Sequence, residues 1–423
     1  MQPARGELDL AYRLDDRFAR ESGRVYLTGW DAIVRLPLMQ RQRDRAAGLR
    51  TAGFVSGYPG SPLGGVDSLF RQHRAMLAGH DVHFEPATNE DLAATSIWGT
   101  QYLNVGPVTS RYEGVFGLWY GKGPGVDRST DAIRTANFQG VAATGGVLAL
   151  AGDDHDARST VTAQQSETLF VHIGMPVLNP ATIQDYLDYG LAGWALSRFS
   201  RCWVGMICLN DTADSAASVD VDPLRPHLVL PDVEEPPSLT MWRPPAELEL
   251  DIRERRFPAA QAFVRANGLD VVTVGAHRSP RSPRPRLGIV TTGKAYLDVR
   301  DAMADLGLDD ERAAALGISV YKVAMPWPLE PEGVLEFARG LDEVLVVEAK
   351  HPIIEDQLAR LLRRIPRDRR PELVGKTDDT GAPLVPVTGA LDAPIVRDVL
   401  LARLEKVTGD PALVQALRPR ESL

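Results

Sequence analysis

The stretch "TAGFVSGYPGSPLGGVD", residues 51–67, decides the fold. Its first part, 51–57, is a short run of small and apolar residues without clean alternation. That is the pattern of a strand buried on both faces, as in a parallel sheet covered by helices. The part that follows, 58–65, is rich in glycine and proline, so the backbone can turn sharply and come close to a ligand, and Ser61 offers a hydroxyl at the turn. The same texture recurs in "GVFGLWYG" (114–121), "GGVLALAGDD" (145–154), "MPVLNP" (175–180) and "CWVGMICL" (202–209). Helical patterns at 90–103, 127–138 and 181–197 lie between these runs. Strand and helix in alternation predict an α/β, doubly wound unit around a parallel sheet.

From about residue 222 to 286 the texture changes, with "VDPLRPHLVLPDVEEPPSLTMWRPPAELEL" at one end and "HRSPRSPRPR" at the other. Proline blocks helix interiors and central strands, so the segment reads as a connector wrapped over a surface, with one helix in "ERRFPAAQAFVRANG" (254–268). A second α/β unit follows. Its strands are expected at "RLGIVTTG" (286–293), "ISVYKVAM" (318–325) and "EVLVVEA" (343–349), and its helices at 294–306, 331–340 and 353–364. The expected organisation is an N-terminal extension (1–21), a first unit (22–222), the connector (223–286), a second unit (287–410) and a tail (411–423). At 423 residues, two domains are the default.

A net charge of −9 argues against a nucleic-acid backbone as partner. The arginine run "RLLRRIPRDRR" (360–370) reads as a solvated helix face. Cys202 and Cys208 stand alone, with neither zinc nor iron–sulfur spacing, and are expected to be buried thiols. The N-terminus has no apolar core region and no apolar run approaches a membrane span, so the expectation is a soluble cytoplasmic chain with no membrane partner.

Ligands of open parallel sheets sit at the carboxyl ends of the strands. The turn 56–67 is one such junction, with no dinucleotide or Walker fingerprint. A second is "PATNEDLAATSIWGTQ" (86–101). Asn89 suits an N-cap, and Glu90 and Asp91 suit the positive end of a helix dipole. The helix body is small and apolar almost all round, however, which predicts a buried helix, and a carboxylate at its mouth needs a partner. In "WYGKGPGVDRSTDA" (119–132), glycines and a proline around Lys122 predict an irregular loop. Lys122 and Arg128 there could hold an anion or pair with neighbouring acids. "AGDDHDARST" (151–160) groups Asp153, Asp154, His155 and Asp156, but adjacent residues rarely converge on one ion, so it reads as a polar loop and no metal is assigned. Glu348, Lys350 and His351 in "VVEAKHPIIEDQ" stand at a strand end, as surface ion pairs or as an interface or ligand edge.

Together these strings resemble the indolepyruvate:ferredoxin oxidoreductases, a family of thiamine-diphosphate-dependent 2-oxoacid:ferredoxin oxidoreductases. The resemblance is strongest to the N-terminal part of the long fused form and runs from about residue 12 to 405. It is carried by 22–65, "NEDLAATSIWG" (89–99), "YGKGPGVDRS" (120–129), "LALAGDDHDARST" (148–160), 176–198, "LGIVTTGKAYLDVRDA" (287–302), "VYKVAMPWPLEPEGV" (320–334) and "VLVVEAKHPIIEDQL" (344–358). It implies a thiamine pyrimidine-binding domain followed by a transketolase C-terminal-like domain. Glu90 matches the glutamate that shares a proton with the cofactor's aminopyrimidine and so activates it. The resemblance also implies that Tyr58, Pro59, Gly60, Ser61, Lys122 and Gly123 line the cofactor, with Ser61, Lys122 and Arg128 on the substrate side.

The implied reaction is oxidative decarboxylation of a 2-oxoacid such as indolepyruvate, with coenzyme A, passing electrons to ferredoxin. The departures matter too. The family holds the diphosphate and its Mg²⁺ on a separate domain with a Gly-Asp-Gly motif, and "GDD" at 152–154 is not that motif. Two lone cysteines cannot ligate an iron–sulfur cluster. Both groups are therefore expected on other parts, with this chain a fragment, a truncated product or a split subunit, inactive alone. Its expected partners are a diphosphate-binding domain or subunit and a second copy in a homodimer or hetero-oligomer. Rival readings are a non-catalytic binding or assembly protein on a repurposed thiamine fold, and a non-redox thiamine enzyme component.

Overall fold

The computed structural model describes residues 11–107, 109–275 and 286–418. In the first unit the strands are β1 (Arg24–Thr28), β2 (Thr51–Gly57), β3 (Val82–Phe84), β4 (Gly114–Lys122), β5 (Val147–Asp153), β6 (Val177–Leu178), β7 (Trp203–Leu209) and β8 (Ala216–Asp220). Six of them form one parallel sheet in the order β3-β2-β4-β5-β7-β6. Their sequences lack alternation because both faces are buried. Leu118, Leu148, Leu150, Val204 and Met206 point into a cluster with the helices Gly29–Ala46 and Ile183–Ser200. Trp119, Val147, Ala149, Ala151 and Ile207 point the other way, against the helices Glu90–Gln101 and Gly123–Gln139. Capping boxes start two of these helices, Thr28 with Asp31 and Thr182 with Asp185. Not anticipated from the sequence is a two-stranded antiparallel ribbon, β1 with β8, tying residues 24–28 to 216–220.

The second unit contains β9 (Val271–Val274), β10 (Leu287–Thr292), β11 (Ile318–Val323), β12 (Glu343–Val347) and β13 (Glu372–Val374), in the order β13-β12-β10-β11-β9. All pairs are parallel except that of β9 with β11. Leu287, Ile289, Leu345 and Val347 face one apolar cluster, and Val290, Val344 and Val346 the other. The two doubly wound parallel sheets are therefore as expected, with one antiparallel edge.

The connector differs from a segment laid over a surface. Its last described part supplies β9, and its helical stretch, Pro245–Ala266 with a π-turn at 252–256, wedges between the units. Arg256, 1% exposed, donates to Asp251 Oδ2 (2.7 Å) and to the carbonyls of Asn137 and Arg201 in the first unit. Gln261 donates to Leu329 O and Arg265 pairs with Glu330 in the second. Prolines open this stretch at Pro244 and Pro245 and recur at Pro258 just after the π-turn, without keeping it out of the core. The "HRSPRSP" part of the connector, 277–283, lies outside the described residues.

The units also meet directly. Val177 N donates to Trp327 O (2.7 Å), Asn179 N to Ala324 O (2.9 Å), and Lys322 Nζ pairs with Asp185 Oδ2 at 2.6 Å. No helix among the described residues is long and apolar enough to cross a membrane. Cys202 and Cys208 are buried and unpaired, as expected.

Candidate active site

In the first sheet the chain runs from β2 outward to β3 and then returns across β2 to β4. The strand order reverses between β2 and β4, and the crevice at that switch point is where open α/β sheets place ligands. The three loops that leave β2, β3 and β4 meet there. Tyr58 N donates to Tyr120 O (3.2 Å) and Ala87 N to Gly57 O (3.2 Å). Within this edge lie Tyr58, Pro59, Gly60, Ser61, Glu90, Lys122 and Gly123, drawn together from three separate parts of the chain.

Glu90 is the first residue of the helix Glu90–Gln101, and Asn89 caps it, its side chain accepting from Leu92 N at 2.8 Å. The backbone of Glu90 is anchored by Trp119, whose Nε1 donates to Glu90 O at 3.0 Å. The side chain, on a residue only 7% exposed, lies against the start of the neighbouring helix Gly123–Gln139. A methyl group built on Gly125 would sit 2.5 Å from Glu90 Oε1, and one on Gly121 would sit 3.2 Å from Glu90 Cγ. The two glycines therefore form a cradle that any larger residue would fill. Among the described residues no side chain donates a hydrogen bond to the Glu90 carboxylate. This is an acid held in place by backbone and packing, with its oxygens left for something else.

The expected irregular loop around Lys122 is replaced by a direct junction. β4 runs through Lys122, and the helix begins at Gly123 with Pro124 in its first turn. Gly123 abuts Gln164, where a methyl group would come within 2.6 Å of Gln164 Cβ. Lys122 lays its aliphatic stem over Gly60, whose added Cβ would meet Lys122 Cδ at 2.7 Å. Among the described residues neither Lys122 nor Arg128 forms an ion pair with an acid. Arg128 is exposed on the helix Gly123–Gln139, and Tyr58, Pro59 and Ser61 are exposed on the turn.

The expectation of a helix buried all round is corrected: Leu92, Thr95, Ser96 and Gly99 are exposed, while Ala93, Ala94 and Ile97 pack on the sheet. Small residues made the two faces look alike in the sequence. Trp119 and Tyr120, whose rings could have suited an aromatic ligand, are fully buried core residues. Tyr120 donates to Asp67 at 2.7 Å. Gly121 and Gly125 were not singled out, because a cradle appears only once the Glu90 side chain is seen against them. Glu348 is not part of a surface ion pair. It is buried and accepts from the backbone N–H groups of Ile353, Ile354 and Glu355. His351 is at an inter-unit edge, its N–H donating to Gln165 Oε1 at 3.0 Å.

Comparisons with known proteins agree with this architecture. Residues 277–418 match the indolepyruvate oxidoreductase domain. The indolepyruvate oxidoreductase subunit IorA of Pyrococcus abyssi is 24% identical over 355 residues, 79% of this chain and 47% of that protein. The protein of the same name from Methanothermobacter marburgensis is 25% identical over 346 residues, covering 82% and 50%. The chain thus spans about half the length of the curated relatives it matches.

Among solved structures, a 2-oxoglutarate:ferredoxin oxidoreductase from Magnetococcus marinus, with 2-oxoglutarate, coenzyme A and succinyl-CoA bound, matches with a TM-score of 0.61 at 15% identity, over 91% of this chain and 65% of that one. A split gene transketolase, an inactive beta4 tetramer, matches with a TM-score of 0.53 at 13% identity, over 90% and 98%. Identities this low speak to the fold alone.

Proposed function

We propose that the chain, whose residues 277–418 match the indolepyruvate oxidoreductase domain, is a member of that family and the pyrimidine-binding component of a thiamine-diphosphate-dependent 2-oxoacid:ferredoxin oxidoreductase. Its substrate is an aryl pyruvate such as indolepyruvate, which the assembled enzyme converts to the acyl-CoA while ferredoxin accepts the electrons. The observation that carries the reading is the buried Glu90 carboxyl, held against Gly121 and Gly125 at the switch point with no side-chain donor among the described residues.

When bound, the cofactor supplies the electron sink for the charge left by decarboxylation. The chain's own residues supply position and proton control. Glu90 would present its carboxyl to a ring nitrogen for proton exchange, and its helix start and the Trp119 hydrogen bond keep that carboxyl from drifting. The tight approach of Gly60 to the Lys122 stem keeps the β2 turn close to the helix start of β4. Lys122 and Arg128, unpaired with acids among the described residues, offer positive charge to a 2-oxoacid carboxylate. The diphosphate, its Mg²⁺ and the iron–sulfur clusters are taken up by a partner domain or subunit.

The test pairs this chain with its diphosphate-binding partner and titrates thiamine diphosphate with Mg²⁺ by calorimetry, then measures ferredoxin reduction. Glu90→Gln, nearly isosteric, should leave folding intact and remove turnover. Normal turnover in that variant would end the assignment, and turnover without ferredoxin reduction would favour a non-redox thiamine enzyme.

A further inference from the structure

A narrow cleft opens between the two units, apart from the Glu90 crevice. It lies over the carboxyl ends of β5 and β7 on one side and of β10 and β12 on the other, the last two flanking the switch point of the second sheet. On its first-unit wall, Asp153, His155 and Glu167 converge. One carboxylate oxygen from each acid and one ring nitrogen of His155 all lie within 4.8 Å of one another.

The two acids are deeply buried, Asp153 at 0% and Glu167 at 6% exposure. Asp153 is oriented by Ser166, whose N and Oγ each donate to it at 2.6 Å. Glu167 Oε1 accepts one long bond from Asn179 Nδ2 (3.4 Å), while Glu167 Oε2 and His155 Nε2 are buried with no hydrogen-bond partner among the described residues. The cations on the surrounding walls are committed elsewhere. Lys294 bonds Asp298 and Leu391 O, Lys350 bonds Gly389 O, and Arg158 pairs with Asp156. Two buried carboxylates and an imidazole thus face one another with no positive charge between them. Such a group of charges is costly unless something compensates it.

Two carboxylate oxygens and one imidazole nitrogen are a donor set for first-row divalent cations. Donors about 2.1 Å from one ion stand about 3.0–3.4 Å apart in octahedral or tetrahedral geometry, so the three groups, now within 4.8 Å of one another, would draw together by up to about 1.4–1.8 Å on the ion. We propose that Asp153, His155 and Glu167 bind one divalent transition cation, of the Mn²⁺ or Zn²⁺ class, with Ser166 and Asn179 orienting the two carboxylates. The ion would fasten the end of β5 to the start of the helix Ser166–His172 beneath the second unit.

The proposal does not depend on the thiamine reading, and its test omits thiamine diphosphate so that a diphosphate-bound Mg²⁺ cannot contribute. The full chain is stripped with a chelator and titrated with MnCl₂ or ZnCl₂, bound Mn²⁺ being counted by electron paramagnetic resonance. The expected result is one saturable ion per chain, with an unfolding temperature that rises with ion concentration. Glu167→Gln should weaken binding by at least about tenfold, and Asp298→Asn, on the opposite wall, should leave it unchanged. His155→Asn, at a half-buried position, serves as a second ligand variant should Glu167→Gln fold poorly. Absence of saturable binding, or binding that survives either ligand variant, overturns the proposal. So does a Glu167→Gln protein that gains stability while the native chain takes up no ion, since the two acids would then be sharing a proton.

Discussion

Replacing Gly125 with alanine tests the contact on which the Glu90 site rests. In an exposed helix interior, Gly→Ala stabilises by about 0.5–1 kcal/mol through backbone entropy and helix propensity. Gly99, in the Glu90 helix, meets that condition, because an added Cβ there has nothing within 4 Å. At Gly125 the same Cβ would lie 2.5, 2.6 and 2.7 Å from Oε1, Cγ and Cδ of Glu90. Overpacking of that kind costs about 1–3 kcal/mol. Gly99→Ala should therefore stabilise the chain, and Gly125→Ala should be neutral to destabilising by about 2 kcal/mol.

The decisive measurement is a double-mutant cycle by urea unfolding. In a Glu90→Ala background the clash is gone, so Gly125→Ala should recover the ordinary helix gain, with a coupling of about 1–3 kcal/mol between the positions. In the assembled enzyme Gly125→Ala should also lose cofactor affinity, because the displaced carboxyl is the one assigned to the ring. Equal gains from both alanines, or no coupling in the cycle, would refute the cradle and leave Glu90 a plain helix-start acid.

Three further outcomes follow from buried groups. Arg256→Met removes a guanidinium that is 1% exposed and holds Asp251 together with two first-unit carbonyls, and should cost about 3 kcal/mol or more in chemical denaturation. Burial pushes the Cys202 thiol up to about 11 and raises Cys208 further, so at pH 8 both should resist a thiol-specific disulfide reagent until the chain is denatured. Asp270 has one oxygen bonded to Ala324 N (2.7 Å) and the other buried without a partner among the described residues, and burial pushes its carboxyl up to about 7. Its unfolded value is near 4, so the folded chain binds the extra proton between those limits. Stability should be full below about pH 4, fall toward pH 7 by up to about 1.4 kcal/mol per unit, and then level off. Asp270→Asn should flatten that part of the profile in a pH series of melting curves.

Much of this architecture was readable because burial on both faces leaves strands such as "LALAG" apolar without alternation. A helix start was legible at Asn89, whose side chain has one obvious job. What the sequence concealed involved partners distant along the chain. The ribbon of β1 with β8 joins segments nearly two hundred residues apart, and neither strand shows a burial pattern strong enough to be noticed. The connector helix was legible, but its role as a wedge depended on Arg256 finding carbonyls at Asn137 and Arg201. Glu90 stood out only as a choice between cap and catalyst, since the glycines that hold it are on another helix. The Asp153 cluster failed a test of local spacing because its third member, Glu167, lies in the first turn of the next helix.

β6 is two residues long and lies at the edge of the first sheet, where its free side would present unpaired N–H groups. Those groups, from Val177 and Asn179, are instead taken by the carbonyls of Trp327 and Ala324 in the second unit. The second unit therefore acts as a shield against self-association. A first unit produced without it would carry a bare sheet edge, the kind of surface on which chains stack into aggregates. Any dividing of this polypeptide into separately made pieces would have to keep the segment 324–327 with the first sheet to keep that sheet soluble.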